Sequence, residues 1–76
     1  MNHVAEAPKG LIRRANEALI LSAAEKVFAR AGFGGATMAA IAEASGLPKA
    51  NLHYYFGSKE VLYRAVLAQI LSDWLV

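Results

Sequence analysis

The sequence contains no cysteine and only two histidines. Without cysteine the chain can form neither a disulfide nor a thiolate metal site, which is compatible with a reducing compartment. Neither His3 nor His53 stands at a spacing from an acidic residue and a nucleophile that suggests a catalytic triad. A metal site would need carboxylates scattered over different helices, and no carboxylates are paired for acid–base chemistry. We therefore expect no metal, no cofactor and no enzymatic activity.

Long apolar runs and a large net charge are also missing. No run approaches the ~18 to 20 residues that span a bilayer, and the N-terminus lacks the plan of a secretory signal, so we expect a soluble cytoplasmic protein without a membrane partner. The net charge is only +2, but basic residues cluster at Lys9, Arg13 and Arg14, and again at Lys49 and Lys59. This uneven distribution indicates an anionic partner better than the sum does.

With 76 residues, the chain is long enough for one small domain. Residues 1–12 carry Pro8 and Gly10 and no helical period, which predicts a flexible N-terminal arm. The arm leads into a basic end at which Arg14 is the stronger candidate for contact with nucleic acid, although terminal basic residues are often merely solvated. From about Arg14 one amphipathic helix is predicted, ending at Gly32, and its apolar stripe is Ile20, Ala24, Val27, Phe28 and Ala31.

Residues 37–59 predict two short helices joined at a sharp corner. Thr37 is placed to cap a helix over residues 38–45, which Gly46 closes in the left-handed conformation. Pro48 then opens a helix over residues 48–56, because proline suits a first helical turn. Two helices joined by a short turn that contains glycine make a helix-turn-helix. The fold class is thus all-α, a small bundle with a helix-turn-helix over residues 13–57, three helices plus the start of a long fourth.

The helix after the corner has two unlike faces. Leu52, Tyr55 and Phe56 share one face and should point to the core. The opposite face carries Lys49, Ala50, Asn51, His53 and Tyr54. Asn can bond an adenine edge, Lys can serve guanine or phosphate, and Ala can approach a thymine methyl group. The alternative is a surface histidine without a role and a pair of half-buried tyrosines.

The last helix, capped by Ser58, is apolar nearly all round. Such a helix must be buried on more than one side, so residues 58–76 are expected to connect to a further domain or chain. Lys59 opposes the helix dipole at this N-terminus, a small cost that an anion opposite it would explain. The same apolar surface leaves a second function open, a helical protein-interaction module that docks a partner through this helix.

The pattern T-x-x-x-I-A-x-x-x-G over residues 37–46, followed by K-x-x-L-x-x-Y-F-x-S-K-E over residues 49–60, resembles the N-terminal DNA-binding domain of TetR-type transcriptional regulators. The resemblance runs from about Leu19 to Leu67. Within that family, residues 52–75 look most like the regulators of pyrimidine utilisation.

The resemblance implies a homodimeric transcriptional repressor of the bacterial cytoplasm, bound to a palindromic operator in double-stranded DNA. A C-terminal domain would bind a small-molecule effector that releases the DNA. Residues matching the family's phosphate contacts are Thr37, Tyr54 and Lys59, and those matching base-facing or groove-lining places are Lys49, Ala50, Asn51 and His53. Two positions depart from the family's pattern: Pro48 replaces a common capping Ser, and His53 replaces a common Tyr, which puts direct base contact there in doubt.

Overall fold

The computed structural model describes the backbone of residues 3–75 and the side chains of residues 10–75. Four helices follow one another in this range, and no strand occurs in it. The helices are α1 (His3–Gly35), α2 (Met38–Ser45), α3 (Lys49–Phe56) and α4 (Lys59–Trp74). The prediction of an all-α bundle with a helix-turn-helix and a longer last helix is confirmed.

Helix α1 begins much earlier than the sequence predicted. The backbone is helical from His3, whereas the prediction placed the start near Arg14 and left residues 1–12 without helix. Gly10 was given too much weight as a breaker: Gly costs only about 1 kcal/mol in a helix, and extending an existing helix is far easier than starting one. Flexibility of this segment remains a prediction. Residues 1 and 2 and the side chain of Lys9 lie outside the described residues.

Gly32 interrupts α1 as the sequence predicted. Its φ of 74° and ψ of 171° leave the helical region, a conformation that only glycine adopts without strain. Phe33 then folds back, and its ring stacks on Phe28 with centroids 6.1 Å apart and meets Tyr63 edge-on at 5.1 Å. The last member of the predicted stripe, Ala31, is exposed and not part of the core, so the buried stripe of α1 ends at Phe28.

Helix α2 has the predicted cap at each end. Thr37 Oγ1 accepts a hydrogen bond from the Ala40 backbone N–H at 3.0 Å and thereby satisfies a free donor of the first turn. At the other end Gly46 has φ 78° and donates its N–H to the carbonyl oxygens of Ala42 and Glu43. The hydroxyl of Ser45 accepts from the Leu47 N–H at 3.1 Å, which holds the turn that leads to α3.

The following helices start in different ways. Pro48 precedes α3 with φ −61° and makes no side-chain cap, as expected from the loss of a serine at this place. Ser58, in contrast, caps α4 by accepting from the Val61 N–H at 3.2 Å. Between them Gly57 has φ 82°, a conformation that glycine adopts without strain, so α3 can end and α4 can begin after only two intervening residues.

One apolar core joins all four helices. Its largest fully buried side chains come one from each helix, Ile20, Ile41, Leu52 and Leu62. Complete burial of each such side chain contributes roughly 1.5 to 3 kcal/mol. Tyr55 and Phe56 are half-buried against this core, so the predicted inner face of α3 is confirmed.

Helix α4 is only partly covered. Leu62 and Val66 are buried, whereas Leu67, Leu71 and Trp74 remain exposed, the last by 83%. Within residues 3–75 no helix combines the length and apolarity needed to cross a bilayer. The apolar surface of α4 is therefore an uncovered helix face, and its burial by a further domain remains a prediction.

Candidate nucleic-acid interface

Helix α3 presents a small, polar outer face. Its inner side is closed by Leu52, which is fully buried. The predicted contact residues Lys49, Ala50, His53 and Tyr54 are exposed, and Asn51 is half-buried. The fold thus brings the five residues to one helix of eight residues, with hydrogen-bonding groups and one small side chain beside each other. This is the composition that reads base edges in a major groove.

His53 is held by its own helix end. Its Nδ1 lies 3.2 Å from the Gly57 carbonyl oxygen. Because a carbonyl only accepts, Nδ1 must carry the proton in this contact, and Nε2 is then an acceptor in the neutral ring. The side chain is therefore oriented on the exposed surface rather than free to rotate.

Thr37 occupies the N-terminus of α2 and is exposed. Its oxygen accepts from Ala40, but its O–H remains a donor. The first turn of a helix also presents unpaired N–H groups and a partial positive charge. Thr37 is thus suited to a phosphate oxygen.

Lys59 has an internal role that the sequence did not reveal. Its ammonium donates to the carbonyl oxygens of Phe33 at 2.7 Å and Ala36 at 3.0 Å, and it lies 4.3 Å from the centre of the Phe33 ring. These contacts explain why a cation is tolerated at the start of α4 without any external anion. An ammonium has three donors, so one remains for a phosphate. The ammonium bonds the carbonyl of Ala36, the residue directly before Thr37.

The sequence placed Arg13 in a basic cluster but indicated no contact for its side chain. Its guanidinium lies 5.1 Å from the Tyr55 ring centre and 5.9 Å from that of Tyr54, and Nε donates to Glu17 at 3.1 Å. The neighbouring Arg14, which the sequence favoured, is exposed on α1. The spacing of four residues between Arg13 and Glu17 predicts a helix ion pair, but only the tertiary fold brings α1 to the tyrosines.

Taken together, these features define a helix-turn-helix DNA-binding domain. A capped helix, a tight turn closed by a left-handed glycine and a second helix with a polar outer face are present in the required order. Basic residues stand at the start of α3 and of α4. Helix α2 would cross the DNA backbone while α3 enters the major groove.

The sequence comparisons agree with this class. The family described as bacterial regulatory proteins, tetR family, matches residues 20–66. The HTH-type transcriptional regulator RutR of Escherichia coli K12 is 54% identical over 61 residues, which are 80% of this chain and 29% of that protein. The chain belongs to this family of helix-turn-helix transcriptional regulators.

Two further relatives have the same kind of name. The HTH-type transcriptional repressor NicS of Pseudomonas putida is 45% identical over 58 residues, 72% of this chain and 26% of that protein. The HTH-type transcriptional regulator YfiR of Bacillus subtilis is 37% identical over 59 residues, 78% of this chain and 29% of that protein. The chain therefore spans less than a third of the length of these relatives. None of the three is named as an enzyme.

Proposed function

We propose that this chain binds double-stranded DNA sequence-specifically, with α3 in the major groove, as the DNA-binding part of a transcriptional repressor. The observation that carries the proposal is the division of α3 into a buried side, closed by Leu52, and an outer side with the exposed Lys49 and His53 and the half-buried Asn51. A protein-interaction module would use the apolar face of α4 and leave the polar face of α3 unexplained. The regulator names of the relatives also favour DNA as the partner.

The residues divide into two sets by their place on the surface. Lys49, Ala50, Asn51 and His53 lie on α3 and would face bases, with the Asn51 amide suited to adenine and Lys49 to guanine or phosphate. Thr37, Tyr54, Lys59 and Arg14 would contact or attract the backbone. Backbone contacts fix the register of the domain, and base contacts supply the sequence preference.

The intact protein would be a homodimer on a palindromic operator. Two recognition helices reach successive major grooves when the half-sites are about 34 to 36 Å apart. The exposed apolar face of α4, with Leu67 and Leu71, would be covered by a C-terminal domain that dimerises and binds a small-molecule effector. Helix α4 would pass the effector signal to α3 as a lever of about 1.5 Å per residue. Such a regulator works in the bacterial cytoplasm, at the chromosome.

Selection from a pool of randomised duplexes tests this proposal. The chain should enrich a defined half-site, and its affinity for that duplex should fall steeply with salt, because each phosphate contact releases counterions. A scrambled duplex of the same composition is the control for non-specific binding. Enrichment of no sequence, or an affinity that is independent of salt, would contradict the proposal.

A further inference from the structure

We propose that Arg13 is an additional DNA-backbone contact, and that it also positions Tyr54 for its own phosphate. This inference rests on the proposed function and extends the interface from α2, α3 and α4 to the beginning of α1. No motif of the helix-turn-helix includes Arg13, and it lies before the region that the family model matches, residues 20–66.

Helix α1 contacts the tyrosine pair of α3 through two of its side chains. The Arg13 guanidinium lies within 6 Å of both tyrosine rings, at 5.9 Å and 5.1 Å from their centres. The two rings meet edge-on with centroids 5.3 Å apart. One turn along α1, the Asn16 amide donates to the Tyr55 hydroxyl at 3.2 Å. Two side chains of α1 therefore hold the same aromatic pair on α3.

Arg13 keeps hydrogen-bond donors that its contact with Glu17 does not use. A guanidinium has five N–H donors, and Glu17 takes the one on Nε. The donors on the two Nη nitrogens form the pair that can bond a phosphate bidentately. The side chain is 52% exposed, so these donors have access to a ligand. Because the aromatic rings and Glu17 already fix the side chain, less rotamer entropy is lost when it binds.

Arg13 lies beside Tyr54, one of the proposed contacts to the DNA backbone. Tyr54 is 76% exposed, and its ring faces Arg13 on one side and Tyr55 on another. A phosphate at the Tyr54 hydroxyl would therefore lie close to the Arg13 charge. Glu17 counts against this arrangement, because its carboxylate repels phosphate. However, an exposed helix pair contributes only about 0.3 to 0.5 kcal/mol, so a phosphate at the Nη donors can compete with Glu17 for the guanidinium.

A salt titration of DNA binding tests the contact. The selected duplex is labelled, and anisotropy gives the affinity of the unaltered chain, Arg13→Ala and the matched control Arg30→Ala, an exposed arginine further along α1, at several salt concentrations. Arg13→Ala should weaken binding about tenfold and lower the salt slope by about 1, as expected for one lost phosphate contact. Arg30→Ala removes the same charge from an exposed position elsewhere on α1 and should weaken binding at most two- to threefold, about the effect of a charge without direct contact.

Two further variants test the positioning role. Arg13→Lys keeps the charge but loses the planar fork, so it should restore the slope while binding stays about fivefold weaker. Tyr54→Phe should weaken binding less in the Arg13→Ala background than in the unaltered chain, since the hydroxyl is then no longer held. Additive effects of the two substitutions would contradict positioning.

The contact itself is overturned if Arg13→Ala and Arg30→Ala have equal affinities and slopes. Circular dichroism of each variant at the assay temperature ensures that loss of binding is not loss of fold. If the unaltered chain binds no selected duplex, the proposed function fails. If it binds a selected duplex but Arg13→Ala behaves like Arg30→Ala, this inference alone fails.

Discussion

Lys59 reaches 26 residues back along the chain to Phe33, where its ammonium donates to the carbonyl oxygen at 2.7 Å and lies 4.3 Å from the ring centre. This relationship ties the first turn of α4 to the last turn of α1, just beyond the interruption at Gly32. The Ala36 carbonyl, a second acceptor at 3.0 Å, precedes the cap residue Thr37. One cation thus links α4 to the residue that precedes Thr37, one of the proposed phosphate contacts.

Lys59→Ala should therefore lower the free energy of unfolding by about 1 to 2 kcal/mol, since it removes two hydrogen bonds from a charged donor. Urea unfolding followed by circular dichroism measures this change. Lys49→Ala, which removes an exposed lysine from α3, is the matched control and should stay within about 0.5 kcal/mol of the unaltered chain. Equal stabilities of the two variants would mean that the Lys59 contacts do not stabilise the fold.

Thr37→Asp should separate the two roles of this position. Aspartate is as good an N-cap as threonine and suits the positive end of α2, so stability should be unchanged or slightly higher. Its carboxylate would repel a phosphate, and DNA affinity at 0.1 M salt should fall about tenfold or more. Thr37→Ser, which keeps both the cap and the O–H donor, is the control for affinity. If Thr37→Asp binds DNA like the unaltered chain, Thr37 is a cap and not a backbone contact.

Gly46→Ala should weaken the corner of the helix-turn-helix. At φ 78° an L side chain is strained, and the cost is about 1 to 2 kcal/mol of unfolding free energy. Gly34→Ala is the comparison, because an added Cβ there meets no atom within 4 Å and the residue lies in the last turn of α1. That substitution should be neutral or stabilise by up to about 1 kcal/mol. Thermal unfolding measures the stability of both variants. A Gly46→Ala variant as stable as Gly34→Ala would contradict the role of Gly46 as a left-handed cap.

The parts of this fold that the sequence predicted are those set by local chemistry. Thr37, Gly46 and Ser58 are caps whose side chains or φ angles act within a few residues, so their positions bound α2 and α4 correctly. The burial of Leu52 followed from helical spacing alone. The predicted start of α1 was wrong: the backbone is helical from His3, and Gly10 is only a weak breaker inside a helix that is already formed.

The contacts that the sequence did not predict join residues far apart in the chain. Lys59 with Phe33 and Asn16 with Tyr55 are separated by 26 and 39 positions, and no local pattern records such pairs. The same holds for Arg13, whose partner Glu17 is visible at helical spacing but whose tyrosine contacts depend on how α1 packs against α3. The set of DNA contacts chosen from the sequence remains a prediction.

The central claim is that the outer face of α3 reads DNA bases, and Asn51→Ala tests it most directly. A gel-shift titration compares this variant with the unaltered chain on the selected duplex and on a duplex changed at one base pair of the half-site. Gln69→Ala, which removes an exposed amide from α4, is the control. We predict that Asn51→Ala loses about 1 to 3 kcal/mol of binding free energy and discriminates less at one base pair, while Gln69→Ala changes neither. Full affinity and unchanged base preference in Asn51→Ala would contradict the claim.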